Sequence, residues 1–434
     1  MSRPVRPVLL YANLVSDLAV DLDQREVLRT WAEQAPREVW LLHPGDVLVS
    51  PVPVGEEFLA YACALTGVPR ESVTVVAMPQ AFGAVDAHAR HHGAVAGVRS
   101  ASGGRPVGAV LPTALDASAV ALANALGVPL APYPSAAAAE AALEVTWLLN
   151  TKAGFRTAAR ELGMNLPDGR VCRREEVPGA VRDLLRTHEH VVVKPDRSAG
   201  GHGLRFLSAA AGEWTCDDLA PVGGAAGRWV VEERIDVACS VSIQLETGPQ
   251  GPWPLFSGAM RTDEGSFTGY VSPLTPSLAH AGPPLEKWGR ALGGFLAEHG
   301  YAGPFSLDAM VSSDGSLFAG ESNVRRTATS TPQAMVTRLA ATAATAAVTA
   351  SAGPRDPAWA TGTVRAPRPY HFEEAVARLH EDGTAYDPRT GEGVVLYAGM
   401  PPDGRTWRYA VIADGHATLA RYEAQLHSSW ASVP

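Results

Sequence analysis

Short apolar runs alternate with helical segments over the first third of the chain. The helical segment VALANALGVP, residues 120–129, contains Gly127 where such a helix is expected to end. Alternation of strands and helices is typical of an α/β domain with a parallel sheet. We therefore predict such a domain over residues 1–145, with a new helix after the two prolines near its end. The predicted strands are PVLLYAN (7–13), EVWLLHP (38–44), SVTVVAM (72–78) and VGAVLPT (107–113).

From residue 146 the apolar positions indicate a mixture of longer helices and strands. One helix has Lys152 near its start and ends at Gly163, and residues 284–300 place an apolar stripe on one helical face. The Pro- and Gly-rich segment AGPRDPAWATG then separates the rest of the chain. We predict a second unit over residues 146–353 and a third over 354–434. Further predicted elements are a helix near 177–187, a strand at 190–195 and two strands within 227–246.

Two strands in the segment PFSLDAMVSSDGSLFAGESNVRRTATSTP (304–332) flank the sequence SSDG. Asp-Gly is the preferred centre of a two-residue hairpin turn. If Asp314 and Gly315 form that turn, Asp308 lies directly opposite Glu321. Asn323 then shares a face with Glu321, because side chains alternate along a strand.

Opposed like charges destabilise a sheet unless something compensates them. Two carboxylates and an amide offer hard oxygen ligands, which suit a magnesium ion that also holds phosphate oxygens. The predicted metal ligands are therefore Asp308, Glu321 and Asn323. The alternative is that either carboxylate faces solvent or pairs with Arg325 or Arg326.

The stretch HVVVKPDRSAGGHGLRFL (190–207) combines a valine strand, a terminal lysine and a glycine-rich loop. Glycines allow backbone N–H groups to approach phosphate oxygens, and Lys194 would add a positive charge beside them. No GK[ST] sequence follows, so the loop is not a Walker A motif. The stretch predicts a phosphate-binding loop after the strand.

Lysine is rare in this chain, which makes Lys194 a stronger candidate for a functional role. Of the 36 basic residues only Lys152, Lys194 and Lys287 are lysines, and all the others are arginines. Lysine carries a compact charge on a flexible stem, unlike the planar arginine fork. Lys152 and Lys194 fall in the stretches singled out above, so both are candidates for phosphate contacts.

Composition excludes several broad functional classes. The formal net charge is −9 and no basic block occurs, so we expect no nucleic-acid partner. The first residues lack the apolar run of a signal peptide, and the Ala/Thr-rich segment 334–353 contains Arg338. We therefore expect a cytoplasmic protein without a membrane partner. The four cysteines are far apart and are expected to be reduced, and the sequence is compatible with a homodimer.

Taken together, these motifs resemble the ATP-grasp superfamily over about residues 145–350. The resemblance implies that ATP lies between two α+β subdomains, with Lys152 and Lys194 near its phosphates. The linker strand VVEERI (230–235) would contact adenine through the Glu233 carbonyl and the Ile235 amide. The usual acidic ribose contact falls near Cys239, so Asp236 is the alternative. The cofactors implied are ATP and Mg²⁺, and the implied nucleotide-binding residues are Lys152, Lys194, Ser198, Gly200, Gly201, Gly203, Glu232, Glu233, Ile235 and Asp236.

The whole chain looks most like pheganomycin-type peptide ligases of actinobacteria. Residues 385–425 resemble the small C-terminal domain of that family, and ESNVRRTATSTP resembles the segment after its magnesium ligands. That family pattern has Gly at Ala328 and His at Thr331, differences that we associate with the substrate rather than with ATP. The implied fold is an α/β N-terminal domain, an α+β ATP-grasp module of two subdomains and a small α+β C-terminal domain.

The implied activity joins a carboxylate, activated by ATP as an acyl phosphate, to the amine of an amino acid or peptide, in natural-product biosynthesis. Lys194 and Arg325 would stabilise the developing charge. Arg261 and Arg326 are candidates for the acyl phosphate or the acceptor carboxylate, although a structural ion pair is an equal alternative for each. The competing hypotheses are an ATP-grasp-type kinase that phosphorylates a hydroxyl, and a non-catalytic nucleotide-binding protein.

Overall fold

The first unit contains a parallel sheet of four strands. The computed structural model describes residues 7–16, 18, 25–78, 95, 97, 107–198, 203–209, 227–263, 266–346 and 357–431. The sheet has the order β3–β2–β1–β4, and each neighbouring pair is parallel, which confirms the predicted α/β domain. Its strands are β1 (Val8–Tyr11), β2 (Val47–Ser50), β3 (Thr74–Ala77) and β4 (Ala109–Pro112). Its helices are α1 (Arg25–Ala32), α2 (Glu56–Thr66) and α3 (Ala117–Leu126), the last ending at Gly127 as predicted.

The predicted strand at 38–44 is wrong, because this stretch forms the 3₁₀ helix Ala35–Leu41. Pro36 occupies the first turn of that helix, where its missing N–H costs nothing. Trp40 is fully buried, and its indole N–H donates to the carbonyl of Tyr397 at 2.9 Å. Tertiary burial of the indole therefore decides the conformation of a run whose composition favours a strand.

A small antiparallel sheet opens the second unit. It has the order β5–β8–β6–β7, formed by β5 (Gly169–Arg173), β6 (His190–Pro195), β7 (Arg205–Ser208) and β8 (Arg228–Glu233). Helix α7 (Val177–Leu184) packs on it through Val177, Val181 and Leu184, against Val193 and Val231. The preceding helices are α4 (Ala136–Ala141), α5 (Leu143–Leu149) and α6 (Lys152–Glu161).

A large antiparallel sheet of eight strands joins the second and third units. Its order is β13–β12–β9–β10–β11–β14–β16–β15. Strand β11 pairs with β14, so the sheet continues across the predicted boundary at residue 354, and the domain limits stay a prediction. The strands are β9 (Val237–Thr247), β10 (Trp253–Asp263), β11 (Ser266–Ser272), β12 (Gly303–Ser312), β13 (Leu317–Asn323), β14 (Ala358–Arg365), β15 (Gly393–Leu396) and β16 (Thr406–Ala413). The helices are α8 (Gly282–Glu298), α9 (Ser330–Ala346), α10 (Phe372–Glu381) and α11 (His416–Ala431).

The hairpin of β12 and β13 differs from the prediction in its turn. The backbone N–H of Ser312 donates to the carbonyl of Ser316, so the loop has three residues rather than two, with Gly315 at φ +85°. A bulge then leaves Gly320 without a partner, because Ala309 pairs with Ala319 and Asp308 with Glu321. The longer loop and the bulge offset each other. The predicted pairing of the two carboxylates is therefore confirmed.

Helix α8 contains adjacent glycines in different surroundings, and these provide a test of the packing. A Cβ added to Gly293 would lie 2.4 Å from Pro252 and 2.8 Å from Phe305, whereas one added to Gly294 would meet nothing within 4 Å. We expect Gly294→Ala to raise the free energy of unfolding by roughly 0.5–1 kcal/mol through helix propensity. Gly293→Ala should lower it by about 1–3 kcal/mol through overpacking. Thermal melting of both variants beside the parent checks this, and equal shifts would contradict the described packing of α8.

Candidate active site

The predicted carboxylates form one polar cluster with their neighbours on β13. Asn323 donates from its Nδ2 to Asp308 Oδ2 at 3.0 Å, and Arg325 donates from a terminal guanidinium nitrogen to Asn323 Oδ1 at 2.8 Å. Glu321 Oε2 lies 3.2 Å from Lys152 Nζ. Glu321 thus pairs with a lysine rather than with Arg325 or Arg326. The predicted site residues Asp308, Glu321, Asn323, Arg325 and Lys152 therefore lie in one cluster.

The electrostatics of the cluster separates the two carboxylates. Burial raises the pKa of Asp308 to about 7, and the charge of Glu321 adds to the effect. Burial also raises the pKa of Glu321, but Lys152, followed by Lys194 and Arg325, outweighs it and leaves the pKa lowered. Asp308 is therefore the carboxylate that holds a proton near neutral pH.

The donor set fits a hard divalent cation. Opposed carboxylates and an amide provide oxygen ligands, and the pKa of Asp308 is raised first by burial and then by the charge of Glu321. Within the described ranges, no group of three or more His, Cys, Asp and Glu side chains is suited to a metal. The two opposed carboxylates, together with Asn323, which donates to Asp308, are the candidate magnesium ligands.

Lys152 connects the small sheet to the carboxylates. It begins helix α6, where Thr151 caps the first turn by accepting from the N–H of Gly154. Its Nζ donates to the carbonyl of Ser198 at 2.9 Å and to the hydroxyl at 3.2 Å. Its own N–H donates to the carbonyl of Asp196 at 2.9 Å. These hydrogen bonds hold the segment after β6 against the start of α6, beside Glu321.

Lys194 is positioned by a buried ion pair. Its Nζ lies 2.5 Å from Glu232 Oε2, and a terminal nitrogen of Arg156 donates to Glu232 Oε1 at 2.6 Å. Glu232 is only 5% exposed, so this carboxylate is held between two cations in a dry environment. Arg156 also donates to the carbonyls of Pro167 and Gly169 at 2.6 and 3.0 Å. The sequence offered no signal for Arg156, because its partners are distant in the chain.

The linker after β8 is anchored at both ends. Glu233 donates its N–H to the carbonyl of Asp168 at 2.8 Å and accepts from the N–H of Asp168 through Oε1 at 2.7 Å. Ile235 and Asp236 lie between β8 and β9, and the Asp236 carboxylate accepts from the hydroxyl of Ser313. Gly203 has φ +79°, whereas Gly200 and Gly201 lie outside the described residues.

The structure does not bring Arg261 to the cluster. Its guanidinium binds Glu423 in a two-point contact at 2.6 and 2.7 Å. Met260 and Thr262 line the cavity over the carboxylates, whereas Arg261 between them lies on the other face of the sheet. The ion-pair alternative is thus the observed one for Arg261.

Arg326 lies beside the cluster and contacts the N-terminal unit. Its N–H donates to the carbonyl of Thr113 at 3.0 Å, and its guanidinium is 3.6 Å from Glu38 Oε2. Its side chain lines the cavity that contains Asp308 and Glu321. The structure therefore places Arg326, unlike Arg261, within reach of a molecule in that cavity.

A cavity of about 480 Å³, here called the site cavity, lies over the carboxylates. Arg37 and Arg408 line it, and sequence reasoning missed both because they come from the 3₁₀ helix Ala35–Leu41 and from β16. Arg37 is 4% exposed, yet its Nε has no hydrogen-bond partner among the described residues. A ligand with negatively charged groups would match this lining, whose arginines are Arg37, Arg325, Arg326 and Arg408.

Comparison with known proteins supports the same architecture. Residues 35–128 match the family model of the Pre ATP-grasp domain, and residues 374–426 match that of the PGM1 C-terminal domain. The sequence has no significant match among curated proteins. No helix in the described segments is long and apolar enough to cross a membrane.

Solved structures of similar fold cover nearly the whole chain. N5-carboxyaminoimidazole ribonucleotide synthetase from Thermus thermophilus is 17% identical with a TM-score of 0.57, over 98% of this chain and 99% of that chain. The biotin carboxylase–beta-gamma-ATP complex from Campylobacter jejuni is 14% identical with a TM-score of 0.59, over 97% and 91%. An ADP complex of N5-carboxyaminoimidazole ribonucleotide synthetase is 12% identical with a TM-score of 0.56, over 99% of both chains. At these identities the likeness shows the ATP-grasp fold, with its preceding α/β domain and small C-terminal domain.

The raised pKa of Asp308 predicts a pH-dependent stability. Between the ordinary pKa of Asp near 4 and the folded value of about 7, the folded state binds more protons than the unfolded state, so stability falls as pH rises. We expect Asp308→Asn to stabilise the metal-free protein at pH 8 by roughly 2–3 kcal/mol more than at pH 5, because the unfolded aspartate is ionised at both values whereas the folded one is protonated at pH 5. Thermal melting in a chelating buffer at both values measures this.

Asp314 in the same hairpin provides a control, because its pKa is shifted in the direction opposite to that of Asp308. Hydrogen bonds from Ser312 and Ser316 lower the pKa of Asp314, so its contribution is present at neutral pH and is lost as pH falls toward the folded pKa. Asp314→Asn should therefore destabilise the protein at pH 8. A shift for Asp308→Asn that is equal at pH 5 and pH 8 would contradict the assignment.

Proposed function

We propose that the protein is an ADP-forming ATP-grasp ligase that joins a carboxylate to an amine. The observation that carries the proposal is the meeting of Asp308, Glu321, Asn323 and Arg325 with Lys152 on an ATP-grasp fold. Structures of similar fold have been solved with beta-gamma-ATP and with ADP. These observations support an ATP-dependent enzyme more strongly than a non-catalytic binding protein, which has no need of two directly opposed carboxylates.

The two lysines would contact the phosphates of ATP. Both act on the same carboxylate, since each lowers the pKa of Glu321. In these salt bridges the lysine side chains keep 12% and 16% of their surface exposed. Asp308, Glu321 and Asn323 would hold Mg²⁺, which supplies positive charge to the phosphate oxygens.

The remaining predicted nucleotide contacts belong to the loop after β6 and the linker after β8. Ser198 is already held by Lys152, which supports a role for this loop beside the phosphates. Glu233 and Ile235 would present backbone groups to adenine. Asp236 is the candidate ribose contact, although its carboxylate is shared with Ser313.

The proposed reaction is a ligation in two steps, and its preference over a hydroxyl kinase rests on the resemblance of the flanking domains. A carboxylate oxygen of the acid substrate attacks the γ-phosphorus of ATP, ADP leaves, and an acyl phosphate forms. An amine then attacks the acyl carbon, orthophosphate leaves, and the nitrogen loses a proton. Negative charge develops on the phosphoryl group and then on the acyl oxygen, where Arg325, Arg326 and Lys194 would stabilise it. Arg37 would orient a substrate carboxylate through its Nε, which has no hydrogen-bond partner among the described residues.

We further infer that the amine belongs to an amino acid or peptide, and that the ligation is a step of natural-product biosynthesis. The match of residues 374–426 to the PGM1 C-terminal domain supports this proposal, as does the resemblance of residues 385–425 to pheganomycin-type peptide ligases. The arginine-rich lining suits the carboxylate groups of such substrates.

Replacing Glu321 by Gln tests the metal-binding role. The change removes one of two opposed charges, so the metal-free fold should be retained while turnover falls about a hundredfold. The magnesium concentration for half-maximal ADP formation should rise as well. Glu298→Gln, at an exposed position near the end of α8, is the matched control and should leave both quantities unchanged. Parent-like turnover of Glu321→Gln at limiting magnesium would refute the assignment.

The reaction class is tested by trapping the activated acid. ATP turnover is first screened against pools of amino acids and peptides, with mass spectrometry of the products. With the acid alone we expect slow ADP release. Adding the amine should yield amide, ADP and orthophosphate in equal amounts. Hydroxylamine should replace the amine and give a hydroxamate. A stable phosphate ester without hydroxamate would instead identify a hydroxyl kinase.

A further inference from the structure

Two arginines line the site cavity where it meets a second and wider cavity, here called the outer cleft. The outer cleft has a volume of about 1090 Å³ and lies between the N-terminal unit, including Val52 and Pro53, and the third unit, including Met400. Arg37 and Arg408 line both the site cavity and the outer cleft, whereas the candidate magnesium ligands line only the site cavity. The two arginines thus lie at the junction of these two spaces.

Arg37 is a buried cation whose hydrogen bonds are incomplete. It is 4% exposed, one terminal nitrogen donates to Gln34 Oε1 at 3.1 Å, and its Nε has no partner among the described residues. Burial lowers the pKa of Arg37 and the charge of Arg408 lowers it as well, whereas Tyr397 and Glu38 act in the opposite sense. Because a guanidinium group carries five N–H donors, Arg37 keeps donors for a ligand.

The other carboxylates near the junction are engaged elsewhere. Glu38 accepts from the hydroxyl of Thr331 at 2.7 Å. In the outer cleft, Asp403 accepts from two backbone N–H groups of its own turn at 2.8 Å, and Glu33 lies 3.3 Å from Arg29. Within the described parts of the chain, no carboxylate forms an ion pair with either arginine of the junction. Two positive charges are therefore available there to a ligand of opposite charge.

The junction is remote from the candidate magnesium ligands. Arg408 is on β16 and Asp308 is on β12, five strands away in the large sheet. Neighbouring strands are about 4.8 Å apart, so the two backbones are separated by roughly 24 Å along the sheet. The lining of the site cavity also includes Trp31, Met260 and Phe267, which provide an apolar wall. An anion held at the junction is therefore a different group from the carboxylate that meets ATP.

We propose that Arg37 and Arg408 form an anion subsite, which binds a carboxylate or phosphate group of a substrate at the end remote from its reacting group. The guanidinium fork matches the oxygens of either anion in a two-point contact. The apolar wall of the site cavity fits an aromatic or aliphatic body beside that anion. The assignment as a substrate subsite rests on the proposed ligase function, whereas binding of the anion does not.

The first test measures binding to the full chain without nucleotide, by calorimetry at pH 7.5 in a chelating buffer. The probes are 3-phenylpropionate, its neutral analogue 3-phenylpropanamide and the dianion 2-phenylethyl phosphate. We expect at least one anion to bind about tenfold or more tightly than the amide, because only an anion forms charge-assisted hydrogen bonds with the arginines. Tighter binding of the phosphate identifies a phosphorylated substrate, and tighter binding of the carboxylate identifies a substrate with a second carboxyl group.

Three variants locate the binding site. Arg37→Met and Arg408→Met should each lower the affinity of the anion to about that of the amide. Arg421→Met removes the same charge at an exposed position of α11 and should retain anion binding. Arg37→Met removes a buried cation with an unsatisfied donor, so it should melt at the same temperature as the parent or higher. Arg408 is only half-buried, and its variant keeps the test decisive if the other does not fold.

The second test measures specificity once a turned-over substrate is known. The kcat/KM of that substrate is compared with that of an analogue in which the remote anionic group is amidated or removed. We expect the parent to prefer the anionic form at least about tenfold, and both junction variants to bring this ratio toward one. The ratio separates a role in recognition from a general loss of activity, since a merely structural defect would lower both values together.

Several results would overturn the proposal. They are equal affinities for the amide and both anions, anion binding that survives Arg37→Met and Arg408→Met, or an equal loss in Arg421→Met. Failure of the ligase proposal gives a different pattern, in which the anion still binds through the two arginines while no ADP forms with any acid. Conversely, ADP formation with an unchanged preference for the anionic substrate in both junction variants would refute the subsite alone.

Discussion

Repulsion between the opposed carboxylates Asp308 and Glu321 is the constraint on which the arrangement of the site depends. A sheet does not keep like charges directly opposed unless cations compensate them. Lys152 supplies the nearest cation, at 3.2 Å, and it comes from a helix outside the large sheet. Because the backbone of Lys152 is also bonded to Asp196, this electrostatic requirement draws α6 and the small sheet toward the hairpin. Charge therefore adds to apolar packing in holding α6 beside the hairpin.

The choice of lysine within an arginine-rich chain follows from the same constraint. Arg156 holds Glu232 from one side through a planar fork that also reaches two backbone carbonyls, as arginine is suited to do. Lys194 meets the other carboxylate oxygen with a single compact charge, which has no further hydrogen-bond partner among the described residues. Lys287, the third lysine, is exposed on α8. Lys152 and Lys194 thus each pair with a buried or half-buried carboxylate, and under the proposed function the same charges would also bind a small ligand.

Features that depend on neighbours in the chain could be predicted from the sequence, and features that depend on tertiary contacts could not. The pairing of Asp308 with Glu321 was predictable because a hairpin is local, even though the loop has three residues and a bulge restores the register. The strand predicted at 38–44 was wrong because burial of Trp40 against distant Tyr397 overrides local propensity. Arg37 was not predicted as a site residue for the same reason. Nothing near it in the sequence shows that its guanidinium is buried without a full set of partners.

The site cavity contains buried cationic groups whose hydrogen-bonding capacity the protein leaves incomplete. The Nε atoms of Arg37 and Arg325 have no hydrogen-bond partner in the described parts of the chain. Such groups lower the stability of the ligand-free fold, since desolvation is not offset by a partner. A ligand that brings negative charge recovers this lost stabilisation when it binds, so the same groups that weaken the empty protein increase its affinity for a matching substrate.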